Sequence, residues 1–101
     1  MLDFYLISDE SSDPKHPTGL IYVGGIDLPD FQYLFNINII ENEAGYFQDF
    51  RWTNKQVLEK HRTLSQLMLN KIKDKPKSEM LLFNILEKAK ESGNGLFTFC
   101  D

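Results

Sequence analysis

The 101-residue chain predicts a single α+β domain spanning residues 1–101, a small, mainly antiparallel sheet with helices packed on one face, in the order β-β-α-(irregular)-α-α-β. Three observations predict it. Short runs of aromatic and branched residues stand at both ends of the chain, a strand-like composition. Two apolar stripes at helical spacing fill the second half. The chain is 42% hydrophobic and 13% aromatic, enough to bury a core at this length and too much for a solvated coil.

The first strand is Leu2-Asp3-Phe4-Tyr5-Leu6-Ile7. Both its faces are apolar, which suits a central or covered position. Residues 8–19, rich in Ser, Asp and Pro, form a loop long enough to be functional or mobile. Leu20 to Val23 is a second strand, stopped by Gly24-Gly25 and joined to the first as an antiparallel hairpin. Asp27 then caps a helix, with Pro29 in its first turn and Asp30 complementing the helix dipole. Phe31, Leu34 and Phe35 share one face, and the helix ends near Asn36–Asn38.

Residues 39–52 are irregular, with the aromatic-rich stretch Tyr46 to Trp52 packed as an extended segment. Thr53-Asn54-Lys55-Gln56 is a capping box. The helix it opens runs to about Lys73, with Val57, His61, Leu64, Met68 and Ile72 on one stripe, Leu58 and Leu69 flanking it, and Lys55, Glu59, Arg62, Gln66 and Lys73 opposite. Asp74-Lys75-Pro76 breaks the chain, and Ser78-Glu79 opens a further helix with Leu81, Leu82, Ile85, Leu86 and Ala89 on its buried face. Gly93 ends that helix in the left-handed conformation. Leu96 to Cys100 is a closing strand, expected to pair with the first.

The charge is unevenly spread. Residues 1–49 carry nine acids against Lys15 alone, a balance of −8, whereas residues 50–101 carry ten bases against six acids, a balance of +4. Such asymmetry either steers a charged partner or draws the two halves together in the fold. No stretch approaches the ~20 apolar residues of a membrane span. Asp3 and the short run Phe4 to Ile7 do not read as a secretory leader. The single cysteine, Cys100, points to a reducing compartment, the cytoplasm.

No catalytic signature is present, so the chain is not expected to be an enzyme, and no cofactor or metal site is expected. His61 reads either as a buried base or as a core histidine bonded to a carbonyl. No partner lies at metal-ligand spacing from it. Asp9, Glu10 and Asp13 beside His16 lack the spacing of a calcium loop. Cys100 reads as a small packing residue, and Gly24-Gly25 lacks the rest of a phosphate-binding pattern. Lys71, Lys73, Lys75 and Lys77 cluster at a turn without interleaved aromatics, which makes nucleic acid an unfavoured partner. The residues best suited to bind another protein are Asp9, Glu10, Asp13, Glu41, Glu43, Tyr46, Asp49, Arg51 and Trp52: acids for steering, and Tyr, Trp and Arg as the residue types richest in interface hot spots.

The opening Asp3-Phe4-Tyr5-Leu6-Ile7, the Gly24-Gly25 pair and the segment Asp49-Phe50-Arg51-Trp52 resemble small uncharacterised bacterial proteins, several of which are similar to immunity proteins encoded beside polymorphic or contact-dependent toxins. The resemblance implies a cytoplasmic protein that binds one cognate toxin domain and blocks it, and it carries over no site residues. Many such toxin domains are basic nucleases, which an acidic first half would suit. The expectation is therefore an immunity-type inhibitor, monomeric or homodimeric, that binds a basic toxin domain through an acidic surface. Two alternatives stand beside it. One is a small ligand-binding domain or enzyme using His61 with Asp49 and Arg51. The other is a structural homo-oligomer subunit joined through residues 46–52 or the terminal strand.

Overall fold

The computed structural model describes residues 1–41, 46–70 and 76–100. Among these, the elements in chain order are β1 (Leu2–Ile7), β2 (Ile21–Ile26), α1 (Leu28–Asn36), β3 (Arg51–Trp52), α2 (Asn54–Leu69), α3 (Lys77–Ser92) and β4 (Gly95–Cys100). The strands form one sheet in the order β2-β1-β4-β3, with every pairing antiparallel. The class is the one read from the sequence, and the element order broadly matches it, with the two-residue β3 added at the end of the stretch read as irregular; the first and last strands are central neighbours. Glu43, Ile72, Lys71, Lys73 and Lys75 lie outside the described residues.

Alternation in β1 and β4 divides the sheet into two faces. Leu2, Phe4 and Leu6 stand opposite Cys100, Thr98 and Leu96 across the β1–β4 ladder, and all face the helices. Their apolar partners come from α2 (Val57, Leu64), α3 (Leu82, Ile85, Leu86, Ala89) and α1 (Phe31, Leu34). Full burial of each of these side chains other than Ala89 contributes about 1.5–3 kcal/mol.

The first helix is entered as expected in position but not in mechanism. Asp27 is the N-cap, yet its side chain makes no capping hydrogen bond, and Pro29 sits where a missing N–H costs nothing. The helix ends in a Schellman turn. Asn38 adopts the left-handed conformation at φ 64°, its N–H donating to the Phe35 carbonyl while that of Ile39 donates to Leu34. The turn drops Ile39 and Ile40 into the core, which anchors the start of the irregular stretch. Two side-chain bonds hold α1 to the start of α3. Tyr33 donates to Glu79 at 2.7 Å, and Ser78 donates to Asp30 at 2.6 Å.

Three local expectations are corrected. Gly24-Gly25 does not stop β2, which continues to Ile26 through a bulge opposite Phe4 and Tyr5. Gly24 makes the bulge possible. Its φ of +152° excludes most side chains, and a Cβ there would lie 2.8 Å from Ile85 Cγ1. The buried stripe of α2 is also wider than the apolar pattern. Lys60 is as buried as His61, its stem lying along the core and its amine above the Trp52 ring, 4.6 Å from the centroid. Leu58 and Leu69, by contrast, face solvent, and Leu81 is only half-buried.

Candidate functional site

The face of the sheet away from the helices is built by the alternate residues of the same strands. Asp3, Tyr5 and Ile7 of β1 stand opposite Phe99, Phe97 and Gly95 of β4, Tyr22 of β2 stands opposite Tyr5, and Arg51 of β3 stands opposite Phe97. The rings form a continuous chain across three strands. Tyr5 lies 5.5 Å from Tyr22 and 5.7 Å from Phe99, both edge-to-face, and Phe99 lies 5.0 Å from Phe97. Cross-strand aromatic pairs stabilise a sheet. They also leave an apolar surface where no helix covers them. Exposure rises along this chain: Phe97 is 6% exposed, Tyr5 and Phe99 are half-buried, and Tyr22 is 52% exposed.

The covered end of this face is the end to which the 8–19 loop is tied. The Arg51 guanidinium donates to Asp13 Oδ1 and to the Ser8 carbonyl, both at 2.8 Å. Asp9 Oδ1 accepts from the Asn54 N–H at 2.9 Å, a carboxylate set on the first turn of α2 where the helix dipole favours it. The loop closes with a turn in which Leu20 N–H donates to Pro17 O and Gly19 takes a positive φ of +86°. Two of its acids therefore hold the loop in place, while Glu10 is exposed.

The residues singled out from the sequence fall into separate groups. Asp9, Asp13 and Arg51 come together at the loop. Glu41 and Trp52 come together on the helix side: Trp52, 2% exposed, packs on Phe4 and Phe50 and donates to Glu41 at 3.2 Å, and Lys60 bonds Glu41 as well. Burial pushes the Glu41 carboxyl up, but the hydrogen bonds and charge of Lys60 and the bond from Trp52 together hold it below the ordinary carboxylate value. Asp49 accepts the Cys100 N–H at the outer edge of β4. Tyr46 packs edge-on against Phe31 of α1 and carries the exposed Phe47. Most of this set thus has a structural task.

His61 lies on the flank of α2 that faces α3. Its Nε2 meets Glu87 Oε2, and its ring stacks on Phe83 at 4.8 Å. The hydrogen bond from His61 holds the Glu87 carboxyl below its ordinary value against the opposing effect of burial. Beside the pair, a shallow cleft of about 310 Å³ is lined by Ser65, Met68, Leu69 and Phe83. Asp49 and Arg51 sit elsewhere, bonded to Cys100 and Asp13, so His61 is not grouped with them. Among the described residues, no three His, Cys, Asp or Glu side chains are placed to hold a metal ion, and no helix is long and apolar enough to cross a membrane.

No protein-family model matches this chain, and no curated protein or solved structure is significantly similar to it. Its function has to be argued from its own surface. On that surface the aromatic chain of the open sheet face is the feature that sequence reasoning missed. The signal was present in the alternation of Asp3-Phe4-Tyr5-Leu6-Ile7 and Phe97-Thr98-Phe99. If helices cover one face, every second residue must lie on the other, and here those residues are largely aromatic.

Proposed function

We propose that this chain is a protein-binding module of the immunity type, an inhibitor that holds a basic toxin domain against the open sheet face and the acidic loop beside it. The observation that carries the reading is the half-exposed aromatic chain Tyr22–Tyr5–Phe99, set on a face whose own cation, Arg51, is already neutralised by Asp13. Aromatic side chains supply large contact area at low entropic cost and dominate interface hot spots. The acid excess of residues 1–49 would speed encounter with a basic partner and make it salt-dependent. The toxin class comes from the resemblance to immunity proteins. The reading places the chain in the cytoplasm, as a monomer or homodimer, with Cys100 as a thiol.

The test is affinity capture by the tagged chain from its native lysate, washed first at low and then at high salt, with bound proteins identified by mass spectrometry. One stoichiometric basic partner, weakened by salt and losing its toxicity when co-expressed with this chain, supports the reading. A partner that is acidic, or whose retention is indifferent to salt, sinks the electrostatic part. No partner in either wash sinks the whole.

A further inference from the structure

Two leucines of α2, Leu58 and Leu69, are left in solvent, 40% and 80% exposed. Each lines a cleft. Leu69 shares the apolar cleft of about 310 Å³ with Met68 and Phe83. Leu58 shares a second cleft, of about 370 Å³, with His61 and Arg62 of α2 and Lys90 of α3. Ser65 lines both, and the His61 ring of the second lies 4.8 Å from the Phe83 ring of the first. The two clefts thus make one groove along α2 where it runs beside α3. From Leu58 to Leu69 it follows three turns of helix, about 16 Å. One end is apolar. The other is lined by two cations, Arg62 and Lys90, and by no carboxylate. Arg62 takes no part in the ion pairs among the described residues. Glu87, outside the lining, is bonded to His61 and to Glu91 and feels the charge of Lys90. The acids near this end are therefore engaged with His61 and with each other, and the cations face the groove.

We propose that this groove binds a free carboxylate with an unbranched apolar chain, of the medium-chain fatty-acid class, its head between Arg62 and Lys90 and its chain along Phe83, Met68 and Leu69. This is a second function, placed on the helix layer and separate from the open sheet face, and neither reading depends on the other. Charge complementarity fixes the sign of the head group. A cation meets Arg62 and Lys90 as like charges, and a neutral head leaves both without a counter-ion. A carboxylate accepts two parallel N–H bonds from a guanidinium, and the Lys90 amine adds a third donor. The walls fix the tail. Met68 and Leu69 are flexible side chains along a shallow, narrow groove, which suits a thin chain that can follow them. The length is set by the distance between the two ends, so a chain too short to pass Phe83 leaves Met68 and Leu69 in water.

The experiment is an NMR titration of the intact chain with hexanoate, octanoate and decanoate, each below its micelle-forming concentration, and with octanamide as the neutral control. The Met68 and Leu69 methyls and the Phe83 ring are read. They should shift along saturable curves, and affinity should rise about fourfold at each step of the series, the gain for two methylenes half removed from water. Octanamide should bind several-fold more weakly than octanoate. Arg62→Gln/Lys90→Gln, at two exposed positions, should erase that difference while leaving the amide spectrum elsewhere in place. Leu69→Ser, at an exposed position, should flatten the dependence on chain length and leave the preference for octanoate over octanamide. Equal affinities along the series, or octanamide binding as well as octanoate, would overturn the proposal. So would shifts spread over the surface without saturation. A short peptide with a C-terminal leucine that binds this groove more tightly than decanoate would also overturn it, because the groove would then belong to the end of a protein chain.

Discussion

Arg51 holds Asp13 at 2.8 Å across the end of the sheet and, through its second nitrogen, holds the Ser8 carbonyl at the same distance. One side chain thereby pins both ends of a six-residue stretch of the loop. The charged contact itself is modest, because the Asp13 side chain is 72% exposed and water screens it. The carbonyl bond adds order rather than much stability. We predict that Arg51→Ala lowers folding stability by only about 1 kcal/mol in urea titration. Amide exchange in residues 8–13 should rise sharply in the same variant. A double-mutant cycle with Asp13→Ala should return a coupling below about 1 kcal/mol.

Thr98 is a stronger anchor. It is fully buried, and its hydroxyl accepts from the Phe50 N–H at 2.8 Å while donating to the Phe50 carbonyl, which also accepts the Thr98 N–H. Thr98→Val keeps the shape but leaves the Phe50 N–H without this acceptor, at a cost of about 1–3 kcal/mol. Calorimetry measures the loss, and faster exchange of the Phe50 amide assigns it.

Gly95 should tolerate as little. A Cβ there would lie 2.3 Å from the Trp52 carbonyl oxygen, a backbone atom with little freedom to move. Gly95→Ala should destabilise by about 1–3 kcal/mol and open the β3–β4 pairing. Gly19→Ala, strained by its positive φ but with no atom within 4 Å of the added Cβ, should cost less. Denaturant midpoints of the two variants decide the order.

These anchors show where the sequence was readable. The Thr53–Gln56 capping box is local, four adjacent residues whose bonds close on one another, and both bonds are present. Strands β1 and β4 were legible because aromatic and branched residues crowd them, and they pair with one another as expected. Less was legible wherever a role depends on distant chain. Trp52 and Arg51 are neighbours on opposite faces of a two-residue strand, so one is core and the other surface, and only pairing with Leu96 and Phe97 decides which. Lys60 escaped notice on α2 because a long charged side chain is discounted in an apolar pattern. Yet its amine reaches the Ile39 carbonyl at 2.8 Å while its stem stays buried. Asp9 is exposed, as an acidic surface requires, and is also a helix anchor, a task hidden from the sequence because its partner amide lies 45 residues away.

The His61–Glu87 pair gives a pH dependence with a definite sign. The hydrogen bond from His61 holds the Glu87 carboxyl below the value of 4.5 it has when unpaired. A carboxylate whose folded value is depressed contributes stability above its unfolded value and loses it as pH falls through the folded one. Glu87→Gln should therefore be less stable than wild type at neutral pH, with the difference shrinking as pH drops below 4.5 and gone at lower pH still. Chemical denaturation at several pH values checks this. A gap that stays constant between pH 7 and 3 would show that the pair contributes packing alone.

The acids of the loop should separate into two kinds under substitution. Asp9 bonds the first turn of α2, so Asp9→Asn weakens an anion–dipole contact and should lower stability by about 0.5–1 kcal/mol. Glu10 is exposed and, in its side chain, has no such task among the described bonds, so Glu10→Lys should leave the denaturation curve in place. Its effect belongs to association instead. Reversing one exposed charge in a −8 segment reduces steering, and the on-rate for a basic partner should fall several-fold at low salt, with the difference disappearing as salt rises and the off-rate unchanged. Surface plasmon resonance across a salt series reads all three quantities. If Glu10→Lys alters the off-rate, Glu10 touches the partner directly; if it alters none of them, the loop stands outside the interface and the aromatic face binds alone.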